Sequence, residues 1–183
     1  MTARPKTKMT VDKFLAWAEH RPGRYELVNG EVFAMSPECA RHARTKAAVH
    51  LTLVRAIRHA GLPCEALPDG MTVRIDARTA YEPDALAYCG ERLPGDAVEV
   101  PNSMIVAEVA SPGTKGEDTG GKLAGYFAVP SVEHYLVVEP VLRSAIHHRR
   151  AGDIIQTRIA SGGPLHVDPS GLELSVDDLF AEP

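Results

Sequence analysis

The chain has 183 residues, 44% of them hydrophobic and 24% charged, with a formal net charge of −4 and a pI near 6.1. Those values fit one globular domain long enough to bury a core, and they exclude a globally basic nucleic-acid binder, so any such contact has to be local. No apolar run approaches the roughly 18 residues that a membrane helix needs, and the basic start "MTARPKTK" lacks the apolar core of a signal peptide. A disordered leader over residues 1–9, a single domain over 10–183, a cytoplasmic location and no membrane partner are therefore expected.

In chain order, Thr10 is placed to cap a short helix "VDKFLAWAEH", with Phe14, Leu15, Trp17 and Ala18 on its apolar face. "RYELVNGEVFAM" reads as two strands around Asn29-Gly30, the signature of a two-residue type I′ hairpin. That loop sets Val28 opposite Glu31 and Glu26 opposite Phe33, so Glu26 and Glu31 share a face.

A long helix is expected from about Glu38 to His59, with an apolar stripe of Ala43, Ala47, Leu51, Val54 and Ile57, and a stop at Gly61-Leu62-Pro63. Its other face, with Arg41, Arg44, Lys46, Arg55 and Arg58, is either a phosphate-contacting strip or an ordinary solvated surface. Strands follow at "CEALP", "MTVRI", "EPDALAYC" and "SMIVAEVA", then a helix from near Asp118, then strands at "HYLVVEP" and "RSAIHHRR". "MIVAEVA" and "HYLVVEP" are apolar on both faces, as in central strands covered by helices, which predicts a mixed sheet with a βα crossover. The C-terminal part adds edge strands and a short helix at Ser175.

Cys39, Cys64 and Cys89 are widely spaced and odd in number, and read as buried reduced thiols. His147 and His148 are adjacent in a strand, so they point to opposite faces and cannot share a metal.

"SPGTKGEDTGGKLAGY" places Gly116, Gly121 and Lys122 at P-loop spacing, but the position that should carry the Mg²⁺-binding hydroxyl is Leu123. Glu117 and Asp118 would also repel phosphates from inside the loop. A nucleotide cofactor is thus not expected, and Lys122 needs another partner. The rest of the chain suggests one, beginning with Glu108. A carboxylate inside "IVAEVA" is costly to bury unless it meets a cation, whether a side chain or a metal. Asp84 in "YEPDALAYC" is a similar anomaly, grouped by alternation with Leu86 and Tyr88; its plainer reading is turn chemistry after Pro83. Two acids on neighbouring strands would form an oxygen-rich pocket suited to Mg²⁺ or Mn²⁺, with Lys122 facing it from the next helix.

Asp, then Glu in a central strand, then Lys resembles the site of the PD-(D/E)XK nucleases. "YELVNGEV", His42, "EPDAL", "IVAEVASP", "KLAGYF" and "HYLVVEP" together resemble the Uma-type restriction endonuclease family of that superfamily, from about Thr10 to the C-terminus. The resemblance implies an α/β (α+β) fold with a restriction-endonuclease-like core, a mixed β-sheet flanked by helices, an N-terminal hairpin and C-terminal edge strands. It implies a Mg²⁺-dependent endonuclease acting on DNA, with Asp84, Glu108 and the Val109 carbonyl as metal ligands and Glu26 near the site. Cutting both strands suggests a homodimer. The usual lysine position, two residues after Glu108, is Ala110, so the role falls to Lys122, with Lys115 as the alternative. His42 either contacts phosphate, aids proton transfer or caps the helix; Tyr126 either hydrogen-bonds within the site or packs beside Phe127. A non-catalytic nucleic-acid-binding or interaction module with the same fold is the competing expectation, favoured by Ala110 and the acidic balance.

Overall fold

The computed structural model describes residues 8–111, 119–168 and 171–181. Residues 1–7 of the leader, Lys115 and the stretch from Gly116 to Asp118 lie outside them. Helix α1 spans Val11–Ala18, and the Thr10 side chain accepts from the Lys13 N–H at 3.5 Å, as the capping pattern predicts. Strands β1 (Tyr25–Val28) and β2 (Glu31–Ala34) pair antiparallel, with Val28 opposite Glu31 and Glu26 opposite Phe33. Asn29 and Gly30 have φ of 52° and 82°, the left-handed pair that a type I′ turn requires. Met9, the last leader residue, donates its N–H to the Gly30 carbonyl at 2.9 Å.

Helix α2 runs Ala40–Ala60 and ends at Gly61, whose φ of 63° gives the left-handed cap. Then come β3 (Cys64–Pro68), β4 (Val73–Asp76), β5 (Thr79–Tyr81), β6 (Ala85–Cys89) and β7 (Ser103–Val109). Helix α3 (Thr119–Ala128) leads into β8 (His134–Glu139), β9 (Ser144–Ala151) and β10 (Ile154–Ala160). The chain continues through β11 (Pro164–Val167), β12 (Leu172–Ser175) and a 3₁₀ turn at Asp177–Phe180, where Ser175 Oγ accepts from the Asp178 N–H.

The main sheet has six strands in the order β10-β9-β8-β7-β6-β3. Strands β7 and β8 are parallel and joined through α3, the expected crossover, while their outer neighbours pair antiparallel. A four-stranded sheet, β2-β1-β5-β4, carries the hairpin. Strand β10 forms an edge of the main sheet, and β11 and β12 make a ribbon of their own. Strand β5 did not stand out in the sequence because three residues are too few to display alternation. One face of the main sheet buries Ala85, Ala107 and Leu136 under Val49 and Leu53 of α2 and the C-terminal ribbon. The other buries Leu86, Val106 and Tyr135 beside Tyr126 of α3. Among the described residues no helix is long and apolar enough to cross a membrane.

Two sequence expectations are corrected. Helix α2 buries Thr45, Lys46, Ala48, Val49, Thr52, Leu53, Ala56 and Ile57, whereas Ala43, Ala47 and Leu51 of the predicted stripe are exposed. Small and apolar residues occur on both sides of this helix, and packing against β3, β12 and the 3₁₀ turn selects which side is covered. The cysteines are not three buried thiols: the antiparallel register of β3 and β6 sets Cys64 opposite Cys89, where they form a disulfide, and Cys39 is exposed. His147 and His148 do diverge, His147 bonding His134 inside and His148 stacking on Tyr135.

Candidate active site

Strands β6 and β7 pair with Ala85 opposite Ala107, so one step further along the ladder brings Asp84 beside Glu108. Asp84 sits at a bend just ahead of β6, and alternation does not carry back to it. Its side chain lies not with Leu86 and Tyr88 but toward α2: Oδ1 is 3.1 Å from Lys46 Nζ and Oδ2 is 3.6 Å from His42 Nε2. Oδ2 also accepts the Val109 N–H at 2.7 Å, which ties the carboxylate to the residue after Glu108. Asp84 and Glu108 thus approach one end of the strand pair from the two faces of the sheet.

On the second face, Glu108 Oε1 accepts from Lys122 Nζ at 2.9 Å and from the Tyr126 hydroxyl at 2.6 Å. Lys122 also donates to Glu26 Oε1 at 2.9 Å, so the hairpin is bound to the site. Lys122 and Tyr126 are one helical turn apart, which explains why both reach one carboxylate. Gly125 lets α3 come close: a Cβ there would lie 2.7 Å from the Tyr81 ring, over which the Lys122 ammonium also sits. Glu31 stays exposed at the hairpin end.

On the first face, Lys46 is bonded to Glu38 at 2.5 Å and Asp69 at 2.6 Å as well as to Asp84. Arg24 extends the network, with Nε 2.5 Å from Glu82 and Nη1 2.5 Å from Asp69. The Glu82 N–H donates to Glu26 Oε1, which links the two halves. Lys46 is 6% exposed and so is not part of a solvated strip; Arg41 and Arg44 are exposed on α2. The reason is helical phase, since Lys46 is two residues on from Arg44 and lies on roughly the opposite side of the helix. Glu38, Asp69, Glu82 and Arg24 were not singled out by sequence reasoning. The signal for Lys46 was available in its i, i+4 spacing from His42, which places both on one face.

The charges respond to this packing. Burial pushes the Glu108 carboxyl up, to about 7, against the pull of Lys122, and the Asp84 and Glu26 charges push the same way. Burial would raise Asp84 too, but His42, the Val109 N–H and Lys46 outweigh it and hold its carboxyl below the ordinary value. Burial would lower both lysines, yet their carboxylate partners prevail and each is raised, so both remain charged. The Glu108 side chain is 15% exposed, so one side of it remains open. Six carboxylates (Glu26, Glu38, Asp69, Glu82, Asp84 and Glu108) thus meet three fixed cations (Arg24, Lys46 and Lys122). That surplus of hard oxygen donors and negative charge suits a divalent cation such as Mg²⁺ or Mn²⁺. Ligand atoms of Glu38, His42 and Asp84 also lie within 4.8 Å of one another.

Residues 11–177 match Uma2, described as "Putative restriction endonuclease". The chain belongs to the Uma2 family. Relatives of this Uma2 protein include the uncharacterized proteins slr1290 and sll1609 of Synechocystis. The first is 25% identical, covering 96% of this chain and 93% of the relative; the second is 22% identical, covering 79% and 82%. A solved structure from Anabaena variabilis, described as a "putative nuclease belonging to DUF820", superposes with a TM-score of 0.71 at 16% identity, covering 94% of this chain and 97% of that one. At that identity the likeness concerns the fold, which the Uma2 chain shares over nearly its whole length.

Proposed function

We propose that residues 10–183 form one nuclease domain that hydrolyses phosphodiester bonds of DNA with a divalent cation, Mg²⁺ or Mn²⁺. The observation that carries this reading is the meeting of Asp84 and Glu108 at one end of β6 and β7, with the Lys122 ammonium 2.9 Å from Glu108. Asp84, Glu108 and the Val109 carbonyl would hold the ion. When bound, it supplies positive charge to the scissile phosphate and acidifies water.

The chain's own groups do the rest. The Val109 N–H fixes Asp84 Oδ2, and Tyr126 holds Glu108 Oε1, so both acids are oriented before substrate arrives. Lys122 donates to the attacking water or to a non-bridging phosphate oxygen and offsets the charge that develops there. Glu26, its second partner, keeps the ammonium aimed at the site when Glu108 turns to the cation. His42, on the α2 side of Asp84, contacts phosphate, and Arg41 and Arg44 meet the flanking backbone. A homodimer would bring two such sites to the two strands of a duplex.

Titration of Mn²⁺ by calorimetry, with plasmid and linear duplex DNA assayed in Mg²⁺, tests the reading. One bound ion per chain and cleavage lost in chelator are expected. A chain that binds no ion, or that binds DNA without cutting it in any divalent metal, fits the non-catalytic module instead. Sedimentation of the free protein checks the dimer.

A further inference from the structure

The Lys46 ammonium is embedded where a cation could otherwise sit. It projects from a helix face that packs on the main sheet, is 6% exposed, and has Glu38 Oε1 at 2.5 Å, Asp69 Oδ2 at 2.6 Å and Asp84 Oδ1 at 3.1 Å. An ammonium has three N–H donors, and three carboxylates take one each. Glu38 and Asp69 are further held by Arg24, so this arrangement is anchored from outside the proposed ligand set.

The consequence falls on Asp84. Two-metal phosphodiesterase centres hold their ions about 3.5–4 Å apart. A carboxylate can span such a pair by offering one oxygen to each ion. Here Oδ1 is committed to Lys46, while Oδ2 accepts the Val109 N–H, which ties it to the residue after Glu108, and lies 3.6 Å from His42 Nε2. Without the ammonium, the oxygens it now holds, of Glu38, Asp69 and Asp84, would be left as a second cage beside the first, bordered by His42, whose ligand atom lies within 4.8 Å of those of Glu38 and Asp84.

We propose that Lys46 is a positioning residue that stands in for a second cation: it takes one oxygen of Asp84, turns the other toward Glu108, and limits the centre to one divalent ion. This rests on the nuclease reading only for the ion at Glu108; the placement of Lys46 does not depend on it. A purely structural ion pair would leave the number of bound ions unchanged when the lysine is removed, and that number is the distinguishing readout.

The test is a count of Mn²⁺ per chain, by calorimetry and by the fraction of free Mn²⁺ in its paramagnetic resonance spectrum. The wild type should bind one ion and Lys46→Met two, with the Lys46→Met melting temperature rising more on Mn²⁺ addition than that of the wild type. Lys46→Met combined with Asp69→Asn removes one wall of the cage and lowers the crowding of unpaired carboxylates; its count should return to one. Two ions on the wild type would overturn the inference without recourse to any variant, so it stays testable if Lys46→Met does not fold. One ion on both wild type and folded Lys46→Met would also overturn it. No ion on the wild type but one on Lys46→Met would remove the nuclease reading of Glu108 while upholding Lys46 as the occupant of the cage.

Discussion

Helices α2 and α3 each bring a lysine to the same strand pair, from opposite faces of the main sheet, and the two lysines are held differently. Lys46 meets three carboxylates, two of which, Glu38 and Asp69, lie outside the proposed ligand set. Lys122 is bonded to Glu108 itself, a proposed ligand, and to Glu26. A cation arriving at Glu108 therefore competes with Lys122 but not with Lys46. The first half of the site is built to stay as it is, and the second is built to change partners. The charges agree: Asp84 is held ionised below its ordinary range, while Glu108 is pushed up to about 7 and is readily protonated or paired.

The largest expected effect comes from the acids. Asp84→Ala and Glu108→Ala should each abolish Mn²⁺ binding and DNA cleavage while circular dichroism shows the fold retained; an active Glu108→Ala protein would remove the chemical basis of the comparison. Next comes Lys122→Ala, which should cut cleavage roughly 100- to 1,000-fold, the cost of losing one transition-state donor. Its Mn²⁺ affinity should hold or rise, because a competitor for Glu108 has gone. Loss of metal binding in this variant would mean that Lys122 organises the ligands rather than competing with the ion.

Stability against pH, measured by denaturation in chelator, should separate the two halves by sign. Glu108 has a folded value above its unfolded one, so the folded chain binds the extra proton and stability falls as pH rises from about 4.5 to about 7. Glu108→Gln should remove that slope, so that its stability changes less than that of the wild type between about pH 4.5 and 7. Asp84 is the opposite case: its depressed value contributes stability present above the unfolded value and lost as pH falls through the folded one. Asp84→Asn should therefore be destabilised at neutral pH and converge with the wild type in acid. Equal slopes for the two variants would erase the distinction.

The smallest effect concerns the outer face of α2. Arg41→Ala with Arg44→Ala should weaken DNA binding and make its salt dependence shallower by about 0.9 for each phosphate no longer neutralised. Lys46 should be silent in this assay, since its charge is spent inside the protein; a salt slope that falls in Lys46→Met, measured in chelator, would place it on the DNA side after all.

Local pattern was enough to place most elements and the odd members of the site. The Asn29-Gly30 turn determined its hairpin and register because only one kind of two-residue loop suits that pair, and Gly61 ended α2 for a similar steric reason. Glu108 stood out because a carboxylate in an apolar strand is costly without a cation, so the sequence alone announced that a partner existed. What it could not determine was which partner. Lys46 lies 38 positions from Asp84 and 23 from Asp69, and α2 could have turned either of two faces to the sheet. Only the packing of α2 against β3, β12 and the 3₁₀ turn decided that Lys46 enters the site while Arg41 and Arg44 face outward. The same holds for Cys64 and Cys89, which meet because β3 and β6 are neighbours in one register. Periodicity describes one element against an unspecified interior; ion pairs and disulfides between elements depend on which surfaces meet, and that is settled when the sheet order and the helix phase are settled together.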